Sequence, residues 1–368
     1  MVLVALLAGC APTPEVPVAE PTVAAPSATP TVEPVADPRP LFDIACDEIL
    51  PASAYTPLST TPLAASDVFE LTADGVYYGI PQVYSIAQLQ GTQCVWVNDE
   101  PESDENGHSD LYTRLSIDIL PNAADAWHTY EEMYATSPEF TTASCNGADG
   151  VNARCWWSGL LDDTTWAEIT YDGMKNFGSD SKNVAQFKPL IPLVRAAIEG
   201  SSATAEWTAP ADTTPIADGC PSVLTAEAIA STVGGKASDV HFFDDYIGGT
   251  SLVFEAERMV GSNPCRWNTP TTEAEYGLPF QILRGGEWAW EAARGTLFEA
   301  QQVDLDGLVE GDSAWLRVEE QLTTMHLIIG GNWIAIEVYP EALEKVEISE
   351  TDLLTELAEK VAAEVYAS

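Results

Sequence analysis

The sequence has little positive charge. Its 368 residues include 15 lysines and arginines against 57 aspartates and glutamates, which gives a formal net charge of -42 at pH 7. A surface this negative repels nucleic acid and anionic lipid headgroups, so both are poor partners. The charge fits a domain held off an anionic membrane, or a protein whose partners are basic proteins or cations. Solubility and the composition typical of its lineage are the simpler explanation.

The sequence also lacks the usual motifs of catalysis. GxSxG, HExxH, GxxxxGK[ST] and GxGxxG are all absent. Ser179 and Lys182 match the S-x-x-K pattern of penicillin-binding enzymes, but no KTG accompanies them. The four histidines lie far apart, at His108, His128, His241 and His326. We therefore expect neither enzymatic activity nor a cofactor.

Long hydrophobic runs are missing after the first few residues, which predicts no transmembrane helix. The chain begins with a short apolar run that ends in Leu7-Ala8-Gly9-Cys10 and leads directly into a Pro-rich tract. This run resembles the lipobox of bacterial lipoproteins. The resemblance implies that Cys10 is lipidated, for example with palmitate. It also implies that the protein is held on the extracytoplasmic face of the cell membrane by this anchor alone.

Residues 1–9 would be the signal segment, although they are short and have no Lys or Arg before the apolar core. A start codon assigned too far downstream would produce this defect. The alternative is a chance apolar terminus on a cytosolic protein. Residues 10–40, which contain nine prolines, predict the lipid anchor and a disordered tether without a core.

A second change of composition, at residues 201–217, predicts a linker between two domains, residues 41–200 and 218–368. The chain repeats itself across this linker, because Cys46 and Cys220 each precede a later Cys-x-Trp. Further paired landmarks are a strand (115–120 with 278–283), two tryptophans (Trp127 with Trp290, Trp156 with Trp315) and a turn signal (Asp172-Gly173 with Gly331-Asn332). The sequence therefore predicts an internal duplication, and each copy is expected to fold alone.

Each copy has the same predicted order of helices and strands. A short helix, several strands and an amphipathic helix that includes Trp127 and Tyr130 are followed by a hairpin and a final helix. In the second copy the final helix begins with the capping box Ser349-x-x-Asp352. This order predicts an α+β protein of two tandem α/β/α sandwich domains with antiparallel sheets.

The helix that begins with Cys, the later Cys-x-Trp, and Gly311-Asp-Ser-Ala314 before a strand resemble a group of actinobacterial envelope lipoproteins of unknown function. The resemblance covers residues 41–368 and implies a PsbP-like sandwich and a location in the envelope. It implies no catalytic residues. The first copy departs from the pattern, with Arg154-Cys155 where the second copy has Ser313-Ala314.

Six cysteines remain once Cys10 is assigned to the anchor. The repeat favours three disulfides, Cys46–Cys94, Cys145–Cys155 and Cys220–Cys265. A metal site is the alternative, but the cysteines are scattered and form no CxxC. Disulfides of this kind are typical of an exported protein.

Two acidic stretches offer weak candidates for calcium ligands, namely Asp104, Asn106, Asp304 and Asp306. Neither stretch has the EF-hand spacing, and solvated loops are the alternative interpretation. Two tryptophans without a Trp counterpart, Trp288 and Trp333, are the candidate partner-binding residues. If Trp290 is in the core, Trp288, two residues away on the same helix, should be partly exposed.

These observations predict a non-catalytic, lipid-anchored binding or accessory protein of the cell envelope, with an envelope protein as partner. Two alternatives stay open. One is a calcium-dependent structural or adhesion module, and the other is a hydrolase with an unrecognised site.

Overall fold

The computed structural model describes residues 37–67, 80–100, 103–104, 107–108, 112–147, 152–217, 219–244, 251–262, 265–268, 278–294, 300–319, 322–343 and 348–367. The predicted signal segment, Cys10, Asn106 and most of the predicted tether lie outside these residues. Residues Val35–Ser368, which include both predicted domains, form one compact unit.

The first half of this unit is built on an antiparallel sheet of six strands in the order β2-β3-β6-β9-β8-β7. The strands of this half are β1 (Phe42–Asp43), β2 (Ala64–Ser66), β3 (Thr92–Val97), β4 (Ser103–Asp104), β5 (Gly107–His108), β6 (Arg114–Leu120), β7 (Ser144–Asn146), β8 (Asn152–Leu160), β9 (Trp166–Lys175) and β10 (Ser202–Ala203). Two short pairs, β1 with β10 and β4 with β5, lie outside the main sheet.

The described residues of the first half also form helices. They are α1 (Cys46–Ile49), α2 (Ala52–Tyr55), α3 (Ile80–Val83), α4 (Ser85–Gln88), α5 (Ala124–Met133), α6 (Asp180–Phe187) and α7 (Leu190–Gly200). Helix α5 buries Trp127 and Tyr130, as its periodicity predicts. Short 3-10 turns at Thr56–Leu58 and Pro138–Phe140 complete this half.

The second half has an antiparallel sheet of seven strands in the order β11-β12-β13-β17-β16-β15-β14. These strands are β11 (His241–Asp244), β12 (Cys265–Asn268), β13 (Leu278–Leu283), β14 (Gln301–Val303), β15 (Ser313–Val318), β16 (Thr323–Ile329) and β17 (Asn332–Val338). Its helices are α8 (Ala226–Val233), α9 (Leu252–Val260), α10 (Glu287–Arg294) and α11 (Glu350–Ala367), with 3-10 turns at Cys220–Ser222, Ala237–Asp239 and Pro340–Leu343. Ser349 caps α11 through the Asp352 N–H at 3.1 Å, as predicted.

The chain is therefore α+β with antiparallel sheets, and this prediction is confirmed. In each half an apolar cluster lies on either face of the sheet, which makes a helix/sheet/helix sandwich. The predicted cysteine pairs are also confirmed, since Cys46 joins Cys94, Cys145 joins Cys155 and Cys220 joins Cys265. No helix among the described residues is long and apolar enough to cross a membrane.

The two sheets correspond in register as well as in strand order. Leu120 of β6 lies opposite Trp166 of β9, and Leu283 of β13 lies opposite Trp333 of β17. Trp166 and Trp333 therefore occupy the same position, so the prediction that Trp333 has no Trp counterpart is wrong. Each ring also packs edge to face against a tryptophan of the neighbouring helix, Trp127 in the first half and Trp290 in the second, with ring centroids 5.5 Å apart in both pairs.

This register corrects two of the paired landmarks. Trp156 lies on β8, beside β9, whereas Trp315 lies on β15, which occupies the place of β7. The turn between β8 and β9 is not at Asp172-Gly173, which lies within β9. It lies at residues 161–165, where the Asp162 carboxylate accepts the N–H groups of Thr164 and Thr165, both at 2.7 Å. An Asp side chain closes this turn, whereas Gly330 and Gly331, both with positive φ, form the matching turn of the second half.

The two halves exchange helices. Helix α3 of the first half packs on β13 and β17 of the second, and helix α9 of the second half packs on β6 and β9 of the first. Helices α4 and α9 contact each other between the sheets. The hydroxyls of Ser85 and Ser262 are hydrogen-bonded there at 2.6 Å. Each sheet is therefore covered on one face by a helix from the other half.

The segment predicted as a linker packs against this junction. The N–H of Thr214 donates to the Gly330 carbonyl at 2.8 Å, and the Asn332 amide donates to the Thr214 carbonyl at 2.9 Å. Near its start, the Trp207 N–H donates to Gln90 Oε1 at 2.7 Å. Backbone and side-chain hydrogen bonds thus fasten this segment to both halves.

Candidate functional site

The two tryptophans predicted to be exposed partner contacts are buried. The exposed fraction of Trp288 is 6% and that of Trp333 is 0%. The expectation of exposure is wrong because α10 is covered on two sides, by its own sheet and by the helices exchanged from the first half. Tyr84 packs against both rings, and Trp288 Nε1 donates to Gln88 Oε1 at 2.9 Å.

The candidate calcium ligands that the structure describes do not form a metal site. Asp304 and Asp306 are exposed between β14 and β15, and the Asp306 N–H donates to Glu359 Oε1 at 3.4 Å. Asp104 lies on β4, and Asn106 is outside the described residues. Within the described ranges, no group of three or more His, Cys, Asp or Glu side chains is placed to hold a metal ion.

A pocket of about 350 Å³ lies in the first half, on the face of β7, β8 and β9 that α5 covers. It is lined by Tyr130, Phe140, Asn146, Arg154, Trp156, Trp157, Ser158, Glu168, Thr170 and Ser251. Ser251 belongs to the second half, where it caps α9 by accepting the Phe254 N–H. Both halves therefore contribute to its wall.

Strand alternation brings the polar side chains of this pocket together. On β8, Arg154, Trp156 and Ser158 follow one another at every second residue and so share one face. Trp156 lies opposite Thr170 on β9, and Ser158 lies opposite Glu168. The sequence thus places an indole, a guanidinium, two hydroxyls and a carboxyl on adjacent strands.

Glu168 is the centre of a hydrogen-bonded network at the floor. Ser158 Oγ donates to Glu168 Oε1 at 2.9 Å, and Trp166 Nε1 donates to Ser158 Oγ at 2.7 Å. The backbone N–H of Leu252, in the first turn of α9, also donates to the Glu168 carboxyl. The same side chain therefore faces the pocket and holds the exchanged helix.

The protonation of Glu168 is sensitive to this setting. Burial raises the pKa of Glu168 to about 7, and the nearby Asp118 charge adds to this rise. The hydrogen bonds from the Ser158 hydroxyl and the Leu252 N–H oppose it. Asp118 lies directly opposite Glu168 on β6, and burial also raises the pKa of Asp118. Two neighbouring carboxyls therefore share a site in which one of them readily carries a proton near neutral pH.

The rim of the pocket combines an arginine with aromatic rings. Arg154 is mostly exposed, and its Nε lies 2.9 Å from Asp172 Oδ1. Trp156 Nε1 donates to the Glu139 carbonyl at 2.9 Å, which fixes the edge of the indole. The Tyr130 hydroxyl donates to the Phe140 carbonyl at 3.1 Å. The indole and phenol donors are therefore engaged with backbone, and the rings serve as apolar walls.

The same face of the second half is filled with aromatic rings. By register, His326 replaces Ser158 and Ala335 replaces Glu168. Trp333 Nε1 donates to His326 Nδ1 at 3.2 Å, and the Trp290 ring lies 5.0 Å from the imidazole. Burial lowers the pKa of His326 to about 3, so this histidine is neutral. The polar pocket is thus a feature of the first half, and its counterpart is a packed core.

Among its lining residues the pocket has no serine paired with a histidine. The Ser158 hydroxyl is committed to Glu168 and Trp166, and no histidine lines the pocket. Ser179, of the S-x-x-K pattern, caps α6 instead by accepting the Lys182 N–H. What remains are hydrogen-bonding groups and ring faces, which are the usual elements of a small-molecule site.

Sequence reasoning missed this pocket because it used Trp156 only as a landmark of the repeat, paired with Trp315. The available signal was the alternation of Arg154, Trp156 and Ser158 in one strand, together with the alternation of Glu168, Thr170 and Asp172 in the next. In comparisons with protein-family models, curated proteins and solved structures, nothing matches this chain.

Proposed function

We propose that this chain is a lipid-anchored binding protein of the cell envelope that holds a small ligand in the pocket of its first half. The observation that carries the proposal is the pocket itself, which combines aromatic walls with a hydrogen-bonding floor at the junction of the halves. The cysteine pairs support an exported protein. The lipobox-like run at Cys10 supplies the anchor in this proposal.

The binding function is tested by screening the purified chain against a chemically broad set of small molecules, with unfolding temperature as the readout. A ligand that binds only the folded state raises this temperature. The increase should disappear in Trp156→Ala and persist in Trp315→Ala, which removes an indole from the second half. Binding to a basic envelope protein, unaffected by pocket variants, would instead favour the partner-protein role.

The anchor is tested separately with Cys10→Ala in a gene with a complete leader. The variant should leave the membrane fraction or remain unprocessed, because it has no sulfur to acylate. Unchanged fractionation and mass would rule out lipidation at Cys10. For the calcium-dependent alternative, the discriminating result is a calcium-induced rise in unfolding temperature.

A hydrolase is the second candidate, and the pair of Asp118 and Glu168 favours it. Two carboxyls on adjacent strands with different hydrogen-bond partners can act as acid and base. Asp118 accepts from the Gln93 amide at 3.0 Å, whereas Glu168 accepts from Ser158 and Leu252. Turnover of a wall-derived substrate that Glu168→Gln abolishes would establish this candidate over pure binding.

A further inference from the structure

The proposed function leaves the chemical class of the ligand open, and the lining of the pocket restricts it. Glu168 lines the floor with Asp118 opposite it on β6, Asp172 pairs with Arg154 at the rim, and the whole chain carries 42 net negative charges. This field repels phosphates, nucleotides and carboxylates. Anionic ligands are therefore disfavoured.

Purely apolar ligands fit no better. An acyl chain in this pocket would cover the polar side chains of Thr170 and Asn146 without offering them hydrogen bonds. Burying polar groups without partners costs several times more than an ordinary hydrogen bond contributes. The floor requires a ligand that supplies hydrogen-bond donors.

Cationic ligands are disfavoured by Arg154 at the rim of the pocket. The Arg154 guanidinium lies at the rim and pairs with Asp172. An ammonium group entering the pocket would therefore approach a positive charge, and the Asp172 carboxylate beside it is already engaged by Arg154. Burial raises the pKa of the Glu168 carboxyl to about 7 in spite of the hydrogen bonds from Ser158 and Leu252, so near neutral pH this carboxyl is not a full counter-charge for an ammonium group. The site is therefore balanced close to neutrality, which favours a neutral ligand.

We infer that the pocket binds a neutral carbohydrate, through one or two sugar rings that stack on Trp156 and donate hydroxyl hydrogen bonds to Glu168 and Thr170. A pyranose presents an apolar C–H face and an edge of hydroxyls, which matches an indole wall beside oxygen acceptors. The volume of about 350 Å³ sets the limit at a small saccharide or the end of a longer one. This inference rests on the proposed binding function.

The closing experiment measures binding of the full chain to glucose, mannose, galactose, N-acetylglucosamine and their short oligosaccharides by calorimetry and tryptophan fluorescence. The same measurement is made with a fatty acid, a diamine and a sugar phosphate. Neutral saccharides should bind and the other three classes should not. Trp156→Ala should weaken binding by about tenfold or more, whereas Trp156→Phe, which retains a ring, should lose less.

Asn146→Ala provides a second variant at an exposed side chain, in case Trp156→Ala disturbs the fold, and Trp315→Ala is the matched control. Asn146→Ala should also weaken saccharide binding, and Trp315→Ala should leave it unchanged. Binding of the fatty acid, diamine or phosphate in place of sugars, with the same dependence on Trp156, would overturn the ligand class and leave the binding function standing. Saccharide binding that neither pocket variant affects would overturn the assignment to this pocket, and binding of no compound at all would overturn both proposals.

Discussion

Buried carboxyls are the most unusual residues of this protein. Burial raises the pKa of Glu257 to about 8 and that of Glu337 to about 7, in addition to that of Glu168. Glu257 lies on α9 with an exposed fraction of 2%. Such groups take up protons on folding near neutral pH, which links the stability of the chain to pH.

We predict that Glu257→Gln stabilises the protein at high pH. The folded pKa of Glu257 lies above the ordinary value of 4.5, so the folded state binds the extra proton between pH 4.5 and about 8. Its contribution to stability is therefore complete below about pH 4.5 and is lost as pH rises towards 8. At pH 9, denaturant unfolding should give Glu257→Gln a free energy of unfolding on the order of 2–4 kcal/mol higher than that of the parent. This difference should become smaller towards pH 5.

The control is Glu227→Gln, which changes an exposed glutamate on α8. Its unfolding free energy should follow that of the parent at every pH. If the Glu257→Gln and parent curves ran parallel from pH 5 to pH 9, Glu257 would not be a titrating buried group.

At the scale of elements, the exchange of α3–α4 and α9 governs the architecture. Tyr84 inserts between Trp288 and Trp333, with ring centroids 5.6 and 5.7 Å apart. In the opposite direction, Leu252 and Ala256 join the apolar cluster of Trp127 and Trp166. Neither sheet has a complete core without side chains from the other half.

Truncation of the inserted ring should therefore destabilise the whole unit. Tyr84→Ala is expected to cost about 3–5 kcal/mol of unfolding free energy, as large aromatic truncations in cores do. Val318→Ala, at a side chain that is 65% exposed, is the control and should change stability by less than about 0.5 kcal/mol. A Tyr84→Ala cost as small as that of the control would mean that this contact between the halves is unimportant.

The same exchange changes the expectation that one copy folds alone. Residues 216–368 expressed alone should bind a hydrophobic dye and lack sharp near-ultraviolet dichroism, because Trp288 and Trp333 lose their cover. Coexpression with residues 37–215 should restore a soluble 1:1 complex. A cooperative unfolding transition in the isolated fragment would instead show that the second half is autonomous.

Sequence patterns predicted the features that are determined by residues within one half of the chain. The positions of the cysteines in the repeat predicted the three pairs, the periodicity around Trp127 predicted α5, and Ser349 with Asp352 predicted the start of α11. The burial of Trp288 and the pocket around Glu168 escaped prediction. Both depend on helices contributed by the other half, and no pattern within one segment reports such packing.

The disulfides act through the length of the loop that each one closes. Cys46–Cys94 spans 48 residues, whereas Cys145–Cys155 spans 10. Chain-entropy arguments give about 4 kcal/mol for the longer loop and about 3 kcal/mol for the shorter. A double Cys→Ser variant at 46 and 94 should therefore unfold at lower denaturant than one at 145 and 155. The reverse order would show that strain or local packing, and not loop length, determines how much each disulfide stabilises the fold.

At the scale of the whole molecule, charge dominates. With 42 net negative charges, repulsion among carboxylates opposes the compact state, and salt screens that repulsion. The unfolding temperature at pH 8 should rise by several degrees between 10 mM and 500 mM sodium chloride. The Debye length is about 30 Å at the lower concentration and below about 10 Å at the higher one. Sucrose at matched osmolality controls for excluded-solute effects, and equal shifts in both series would contradict a screening mechanism.

The exchange of helices also has an evolutionary consequence. A residue such as Tyr84 is encoded in one half of the gene, yet the selection that acts on it comes from Trp288 and Trp333 in the other half. Substitutions at these positions should therefore covary across the gene, and a deletion or recombination that removes either half should be lost from lineages. We therefore expect the two halves to be inherited as one unit, because a change at this contact in one half alters the selection on the other.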